Sequence, residues 1–301
     1  MKKNFKVSII VNCYNGEKYL SRCLQSIINQ TEKNWEVIFF DNQSNDSSKK
    51  IFEEFKDDRF KYFFSSEFIK LYKARNEALK KATGKFIAFL DCDDWWRPNH
   101  LENAKDFFEN ERYKLYFSNA FNYLEKKKKF ILHRKNLPKD NIFKDLINDY
   151  SVKISCLIIR ADIIKKKCGD TGPFNENFNI IGDYELVMKI ASKYLCYSRN
   201  TPSVNCSFHG ENYSIKNRDE YAKEFNKWYQ KIDFNEEPFS FNKVQINDNL
   251  LYINLFEDIT TLKRPNQLLK IFKIKDLYKK MKLLIIFILP DLLIKKLLNK
   301  Y

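Results

Sequence analysis

Between residues 7 and 90, short apolar runs alternate with helix-period segments, and no two runs are close enough in sequence to pair as a tight hairpin. Val7-Ser8-Ile9-Ile10-Val11 ends in the turn-forming cluster Asn12-Cys13-Tyr14-Asn15-Gly16, which reads as a buried strand followed by a loop. From Glu17, the apolar positions Tyr19, Leu20, Cys23, Leu24, Ile27 and Ile28 recur at spacings of three and four, one face of a helix. Trp35 to Phe40 is the next strand; the polar loop from Asp41 to Ser48 can cap a helix through Phe55. An apolar stretch at 60–64, a helix from about Ile69 to Ala82 closed by Gly84, a strand from Phe86 to Leu90, a helix from Pro98 to about Glu109 and a strand from Tyr113 to Ser118 continue the pattern. Such alternation predicts an α/β fold: a Rossmann-like, mainly parallel sheet flanked by helices.

The run from Phe86 to Leu90 stops in Asp91-Cys92-Asp93-Asp94. Carboxylates there lie at the carboxyl edge of a sheet, where open α/β folds bind ligands. Asp91 and Asp93 offer the hard oxygens that Mg²⁺ and Mn²⁺ prefer, too few for an all-protein cage, so a diphosphate would complete the shell. An isolated Asp-x-Asp equally describes a solvated turn. His209, beside Gly210, could add an imidazole or be a plain loop residue. Asp183 opens a helix whose apolar face is Leu186, Val187, Ile190 and Ala191, a position that suits an Asp for capping and for the helix dipole alone.

The rest of the chain is less regular. Residues 119–149 form a basic, aromatic region without a clear period; Ile154 to Arg160 reads as a strand and Gly172 to Phe178 as a loop. Past Tyr213 the pattern is helical to Trp228 and again from about Thr261. A net charge of +15 would suit nucleic acid, but residues 261–301 hold eleven Lys and Arg against two acids, so the excess is concentrated in a tail. Leu277 to Lys300 mixes Leu, Ile and Lys around Pro290, which suits an anionic membrane surface, or a helix packed on the domain with its lysines outward. No apolar run reaches the ~20 residues of a membrane span. Seven cysteines without metal-like spacing, after an opening Met-Lys-Lys-Asn-Phe, point to a reducing cytoplasm.

In order, several segments resemble the family 2 inverting glycosyltransferases of GT-A fold. They are Val7 to Val11 with Tyr14-Asn15; the helix carrying Leu20, Cys23, Leu24, Ser26, Ile27 and Gln30; Asp41 with the Ser44 loop; Ala74-Arg75-Asn76; Gly84-Lys85-Phe86 into Leu90-Asp91-Cys92-Asp93-Asp94; Gly172-Pro173-Phe174-Asn175-Glu176; and Asp183 to Lys189. The resemblance implies a GT-A catalytic domain at 1–215, with a nucleotide-sugar half at about 1–118 and an acceptor half at about 119–215. The helical extension would then span 216–301, its membrane-surface segment 277–301.

By the same resemblance, Asp41 contacts the nucleotide base with Asn12, Tyr14, Asn15 and Glu17 nearby; Arg75 and Cys92 lie beside the nucleotide sugar. Asp91 touches the ribose or assists the metal, Asp93 is the principal ligand of Mn²⁺ or Mg²⁺ with His209 as a further ligand, and Asp183 is the general base. The implied reaction is inverting transfer of one hexosyl or N-acetylhexosaminyl unit from a nucleotide sugar, most often UDP-linked. The acceptor would be a glycan or lipid-linked molecule of bacterial surface glycan synthesis (lipooligosaccharide, capsule or lipid-linked oligosaccharide), at the inner face of the plasma membrane. Asn12 replaces a usual proline, Asn42-Gln43 a more usual acidic-glycine pair, and Gly182 a common Glu. The Gln-x-x-Arg-Trp motif of processive synthases is absent, so a non-processive enzyme is expected. Two rivals are a catalytically inactive nucleotide-sugar-binding protein and an aspartyl-phosphate phosphohydrolase using Asp91; nucleic-acid binding is not expected.

Overall fold

The computed structural model describes residues 5–165, 172–261, 263 and 267–298. In chain order the elements are β1 (Val7–Cys13), α1 (Glu17–Ile28), β2 (Trp35–Asp41), α2 (Ser48–Glu53), β3 (Phe60–Phe64), α3 (Leu71–Leu79), β4 (Phe86–Phe89), β5 (Trp95–Trp96) and α4 (Lys105–Glu109). Then follow β6 (Tyr113–Leu124), β7 (Lys129–Leu132), α5 (Phe143–Asn148), β8 (Leu157–Arg160), α6 (Ala161–Lys165), α7 (Gly182–Ala191) and β9 (Leu195–Phe208). The helices α8 (Tyr213–Lys216), α9 (Arg218–Gln230), α10 (Lys243–Thr260), α11 (Gln267–Ile271), α12 (Leu277–Ile288) and α13 (Asp291–Leu298) complete the chain. It divides into two units, Met1–Ile142 with Tyr150–Phe208, and Phe143–Asp149 with His209–Tyr301.

The first unit holds a sheet in the order β3-β2-β1-β4-β8-β6-β9-β5, with β7 paired to β6. Its first four strands are parallel, as the alternation predicts. Beyond β4 the sheet is mixed, because β8 enters antiparallel between β4 and β6 while β9 runs parallel to β6. β1 and β2 sit inside the sheet and are almost wholly buried apolar runs. One acid is buried with them: Glu36 accepts from Lys6 Nζ (2.8 Å), Lys61 Nζ (2.7 Å), Ser8 Oγ (2.6 Å) and the Thr83 N–H (2.9 Å), tying β1, β2, β3 and the turn before β4.

Two strands exceed the sequence reading. β6 runs on to Leu124 instead of ending at Ser118, because β9 pairs with it out to Leu124 opposite Phe208. β9 itself has no apolar alternation; its Ser, Arg, Asn and Pro residues are held by pairing, through register shifts near Ser118 and Asn119. The basic region after Asn119 becomes the end of β6, the short edge strand β7 and α5.

The second unit is helical. Leu255, Ile259, Ile271, Ile274 and Leu283 form its core, with Leu284, Ile286 and Phe287 of α12 packed against it. α12 is also apolar on another side: Tyr278, Met281, Ile285 and Ile288 lie at helical spacing and are 77%, 49%, 53% and 76% exposed. Among the described residues no helix is long and apolar enough to cross a membrane.

Candidate active site

The acidic turn follows β4. Asp91, Asp93 and Asp94 bring one carboxylate oxygen each within 4.8 Å of one another. Asp94 is buried and already occupied: its Oδ2 accepts from Ser155 Oγ (2.6 Å) and its Oδ1 from the Ser207 N–H (2.8 Å). Burial, and then the neighbouring charges of Asp93 and Asp91, push its carboxyl up to about 8. Asp91 accepts from Arg75 Nη2 (2.5 Å) through Oδ1, while its side chain keeps 39% of its surface accessible. Burial among protein atoms outweighs that guanidinium and raises its carboxyl above the ordinary range. Three clustered hard oxygens suit a divalent ion, with Asp91 and Asp93 as the accessible donors and Asp94 fixing the turn. Cys92, between them, points its thiol at that of Cys13, and a Cβ at Gly16 would lie 2.7 Å from Cys13 Sγ and 3.3 Å from Cys92 Sγ. Only glycine lets α1 start this close to the acidic turn.

The loops after β1 and β2 are stitched together. The Asn15 N–H donates to Ser44 Oγ (3.0 Å), the Asn45 N–H to Asn15 Oδ1 (2.9 Å), the Glu17 N–H to Asp46 Oδ2 (2.9 Å) and the Ser47 N–H to Glu17 Oε2 (2.9 Å). Asn15 and Glu17 therefore shape the loop pair. Asp41 is fully buried, its Oδ1 accepting from the Ser44 N–H (2.8 Å) and its Oδ2 from the Tyr62 hydroxyl (2.7 Å). The Asn12 amide is different: both its oxygen and its nitrogen are buried without a partner. Tyr14 is 52% exposed and leans on Phe68 at a ring distance of 4.8 Å.

Asp183 stands at the start of α7, and α3 sets its position. Asn76 Nδ2 donates to the Phe174 carbonyl (2.9 Å) and to Glu176 Oε1 (3.0 Å), and its Oδ1 accepts from the Phe174 N–H (3.0 Å), clamping the loop that leads to α7. Gly172 has φ +78°, and a Cβ there would strike Asn76 at 2.5 Å, so glycine is required twice over. The Tyr72 hydroxyl shares its proton between the Ile180 carbonyl (2.8 Å) and Asp183 Oδ1 (3.2 Å), which also accepts from the Tyr184 N–H (2.9 Å). Burial raises the Asp183 carboxyl above its ordinary value, though Arg75, the Tyr184 N–H and the Tyr72 hydroxyl all oppose the rise.

The first unit thus gathers Asn12, Tyr14, Asn15, Glu17, Asp41, Arg75, Asp91, Cys92, Asp93 and Asp183. His209 belongs to the second unit, where its Nδ1 accepts from the Glu211 N–H (3.2 Å) and its own N–H donates to Asn212 Oδ1 (2.7 Å). Tyr72 and Ser155 were not expected from the sequence. Tyr72 had one signal, the unusual Gly182 beside the expected base; Ser155 had none.

The sheet, with an acidic turn at its carboxyl edge and a second carboxylate on a later helix, has the arrangement of a GT-A fold. The sequence profile of glycosyl transferase family 2 matches residues 8–166, and the chain belongs to that family. Among its relatives, the Escherichia coli enzyme WfaP, a UDP-Glc:alpha-D-GlcNAc-diphosphoundecaprenol beta-1,3-glucosyltransferase, is 34% identical over 203 residues, 66% of this chain and 75% of WfaP. The fold is also that of S. aureus TarS 1-349 in complex with UDP-GlcNAc (TM-score 0.61, 21% identity, 82% of this chain and 72% of that one). The mannosyltransferase PcManGT of Pyrobaculum calidifontis, solved with GDP-Man and Mn²⁺, matches at TM-score 0.61 and 17% identity over 99% of this chain and 80% of its own. Family membership leaves the phosphohydrolase reading of Asp91 without support.

Proposed function

We propose that this chain transfers one sugar from a UDP-linked donor to a hydroxyl of a lipid-linked acceptor in bacterial surface glycan synthesis, with inversion and without processivity. The observation that carries this reading is the pairing, through α3, of a cation-suited turn at Asp91 and Asp93 with a separate carboxylate, Asp183: Arg75 reaches the first and Tyr72 the second. WfaP supports the acceptor class, TarS the nucleotide.

Inversion at an anomeric carbon needs a base on the acceptor side and charge relief on the leaving-group side. Asp183 takes the acceptor hydroxyl proton; its raised affinity for protons makes it a stronger base than a solvated carboxylate. Mn²⁺ or Mg²⁺ held by Asp93 and Asp91 would supply Lewis-acid neutralisation of the departing diphosphate. Arg75 holds Asp91 in place beside the nucleotide sugar, with Cys92 lining the same turn. The unpartnered Asn12 amide and Tyr14 would meet the base, while Asp41, closed off by Ser44 and Tyr62, supports the loop beneath it, and Asn15 and Glu17 keep the loops in shape.

A screen of nucleotide sugars for metal-dependent release of free UDP or GDP tests the reading. UDP release that survives in wild type and stops in Asp183→Asn, with UDP binding unchanged, is the expected result. UDP binding without transfer or hydrolysis of any donor would instead indicate an inactive binding protein. Asp93→Ala should weaken metal-dependent nucleotide binding.

The exposed α12 stripe supports peripheral contact of the tail with an anionic membrane at the cytoplasmic face. Deleting 277–301 would also remove Leu283 from the second unit's core. Replacing Tyr278, Met281, Ile285 and Ile288 by Ser is therefore the cleaner test: the protein should move from the membrane to the soluble fraction.

A further inference from the structure

The β6–β7 hairpin takes up the basic, aromatic stretch that the reaction does not use. Its turn carries Lys126, Lys127, Lys128 and Lys129 in succession, all exposed and, among the described residues, without an ion pair. Lys128 adopts a left-handed backbone, φ +49°, a place where Gly or Asn is the easy choice. The turn thus keeps a fourth positive charge where backbone ease favours another residue.

The lysines lead directly into β7, an edge strand that among the described residues pairs only with β6. Phe130, Ile131 and Leu132 are 49%, 43% and 44% exposed. Successive strand residues point to opposite faces, so apolar side chains reach solvent on both sides of the strand. Lysines alone would suffice to keep an edge strand from pairing with another chain. Three exposed apolar residues beside them have the composition of a segment that rests in the headgroup region of a bilayer. Phe130 also joins Trp95 and Tyr123 in an aromatic group, with rings of Trp95 and Tyr123 5.3 Å apart and Tyr123 and Phe130 4.6 Å apart.

The hairpin is tied to the acidic turn. Glu125, immediately before the lysines, accepts from Arg22 Nη2 (2.7 Å), and the same nitrogen donates to the Asp93 carbonyl (3.3 Å). The Arg22 guanidinium lies 3.6 Å from the Trp95 ring centroid.

We propose that the β6–β7 hairpin is a membrane-docking element of the catalytic unit, in which Lys126–Lys129 bind anionic headgroups and Phe130, Ile131 and Leu132 enter the interface. Arg22 then fixes the acidic turn relative to that contact. The docking itself is independent of the tail; only its purpose, meeting a lipid-linked acceptor, rests on the function proposed above.

Flotation of the full chain with phosphatidylglycerol-containing vesicles, against pure phosphatidylcholine vesicles, tests it. The combined Lys126→Gln, Lys127→Gln, Lys128→Gln and Lys129→Gln variant should lose roughly tenfold or more of its affinity for the anionic vesicles. Ile131→Ser should lose a smaller share, with both variants keeping wild-type circular dichroism. The α12 stripe variant in parallel separates the two contacts, since its failure bears on the tail alone. Unchanged binding by the quadruple lysine variant would overturn the proposal. So would a change from dimer to monomer in Ile131→Ser with vesicle binding intact, which would make the edge a contact between copies of the chain.

Discussion

The ring of Tyr72 occupies the space over Gly182, where a Cβ would lie 2.6 Å from it, and the Tyr72 hydroxyl lies 3.2 Å from Asp183 Oδ1. The missing side chain at 182 and the bulky one at 72 are one feature: the phenol sits where a larger neighbour of Asp183 would otherwise pack. Gly182→Ala should therefore cost about 1–3 kcal/mol and lower kcat by about tenfold or more as Asp183 is displaced. In a Tyr72→Ala background the same substitution should be nearly neutral. A double-mutant cycle in kcat and in unfolding free energy measures the coupling.

Tyr72→Phe keeps the ring and removes only the hydroxyl. That hydroxyl favours the charged form of Asp183, so its loss should raise the Asp183 pKa further. The acid limb of the kcat/KM profile should move to higher pH, with nucleotide affinity unchanged. A profile identical to wild type would show that the contact does not act on the base.

Ser155 serves the acidic turn from β8's approach. Its hydroxyl accepts from the Asp91 N–H (3.1 Å) and donates to Asp94 (2.6 Å). Ser155→Ala leaves the buried Asp94 one partner short and loosens the donor set. Titration of nucleotide binding with Mn²⁺ should show a requirement raised roughly tenfold or more.

Burial opposes the charge on Glu36, but the ammoniums of Lys6 and Lys61 and the hydroxyls of Ser8 and Thr83 hold its carboxyl well below the usual range. A depressed carboxylate contributes stability that is full above its unfolded pKa, about 4.3, and is lost as pH falls below it. Glu36→Gln should cost about 2–4 kcal/mol at pH 7, less where the half-exposed lysines are screened by salt. Its denaturant midpoint should fall less steeply than wild type between pH 5 and 3.

His100 is buried, with Nδ1 2.8 Å from Ser203 Oγ and Nε2 without a partner. Burial pushes its imidazole down to about 3, so it stays neutral in the fold. The stability it contributes is present above the unfolded histidine pKa, about 6.5, and is lost as pH falls from there toward 3. His100→Gln should flatten the decline of Tm between pH 7 and 5; an unaltered slope would assign that decline to other groups.

The sequence by itself determined the parallel half of the sheet, because strands buried on both faces must be continuous apolar runs and their crossovers must be amphipathic helices. It also put Asp91 and Asp93 just past the end of a strand and Asp183 in the first turn of a helix, where β4 and α7 hold them. Only the tertiary structure decided the rest. β9 and the end of β6 are strands by mutual pairing and not by their own pattern. Tyr72, Asn76 and Ser155 act on residues 111, 98 and 61 positions away, a separation that carries no periodic signal. The lysines of 126–129 read as charge alone until β7 set three exposed apolar side chains beside them, because exposure is a property of the folded surface.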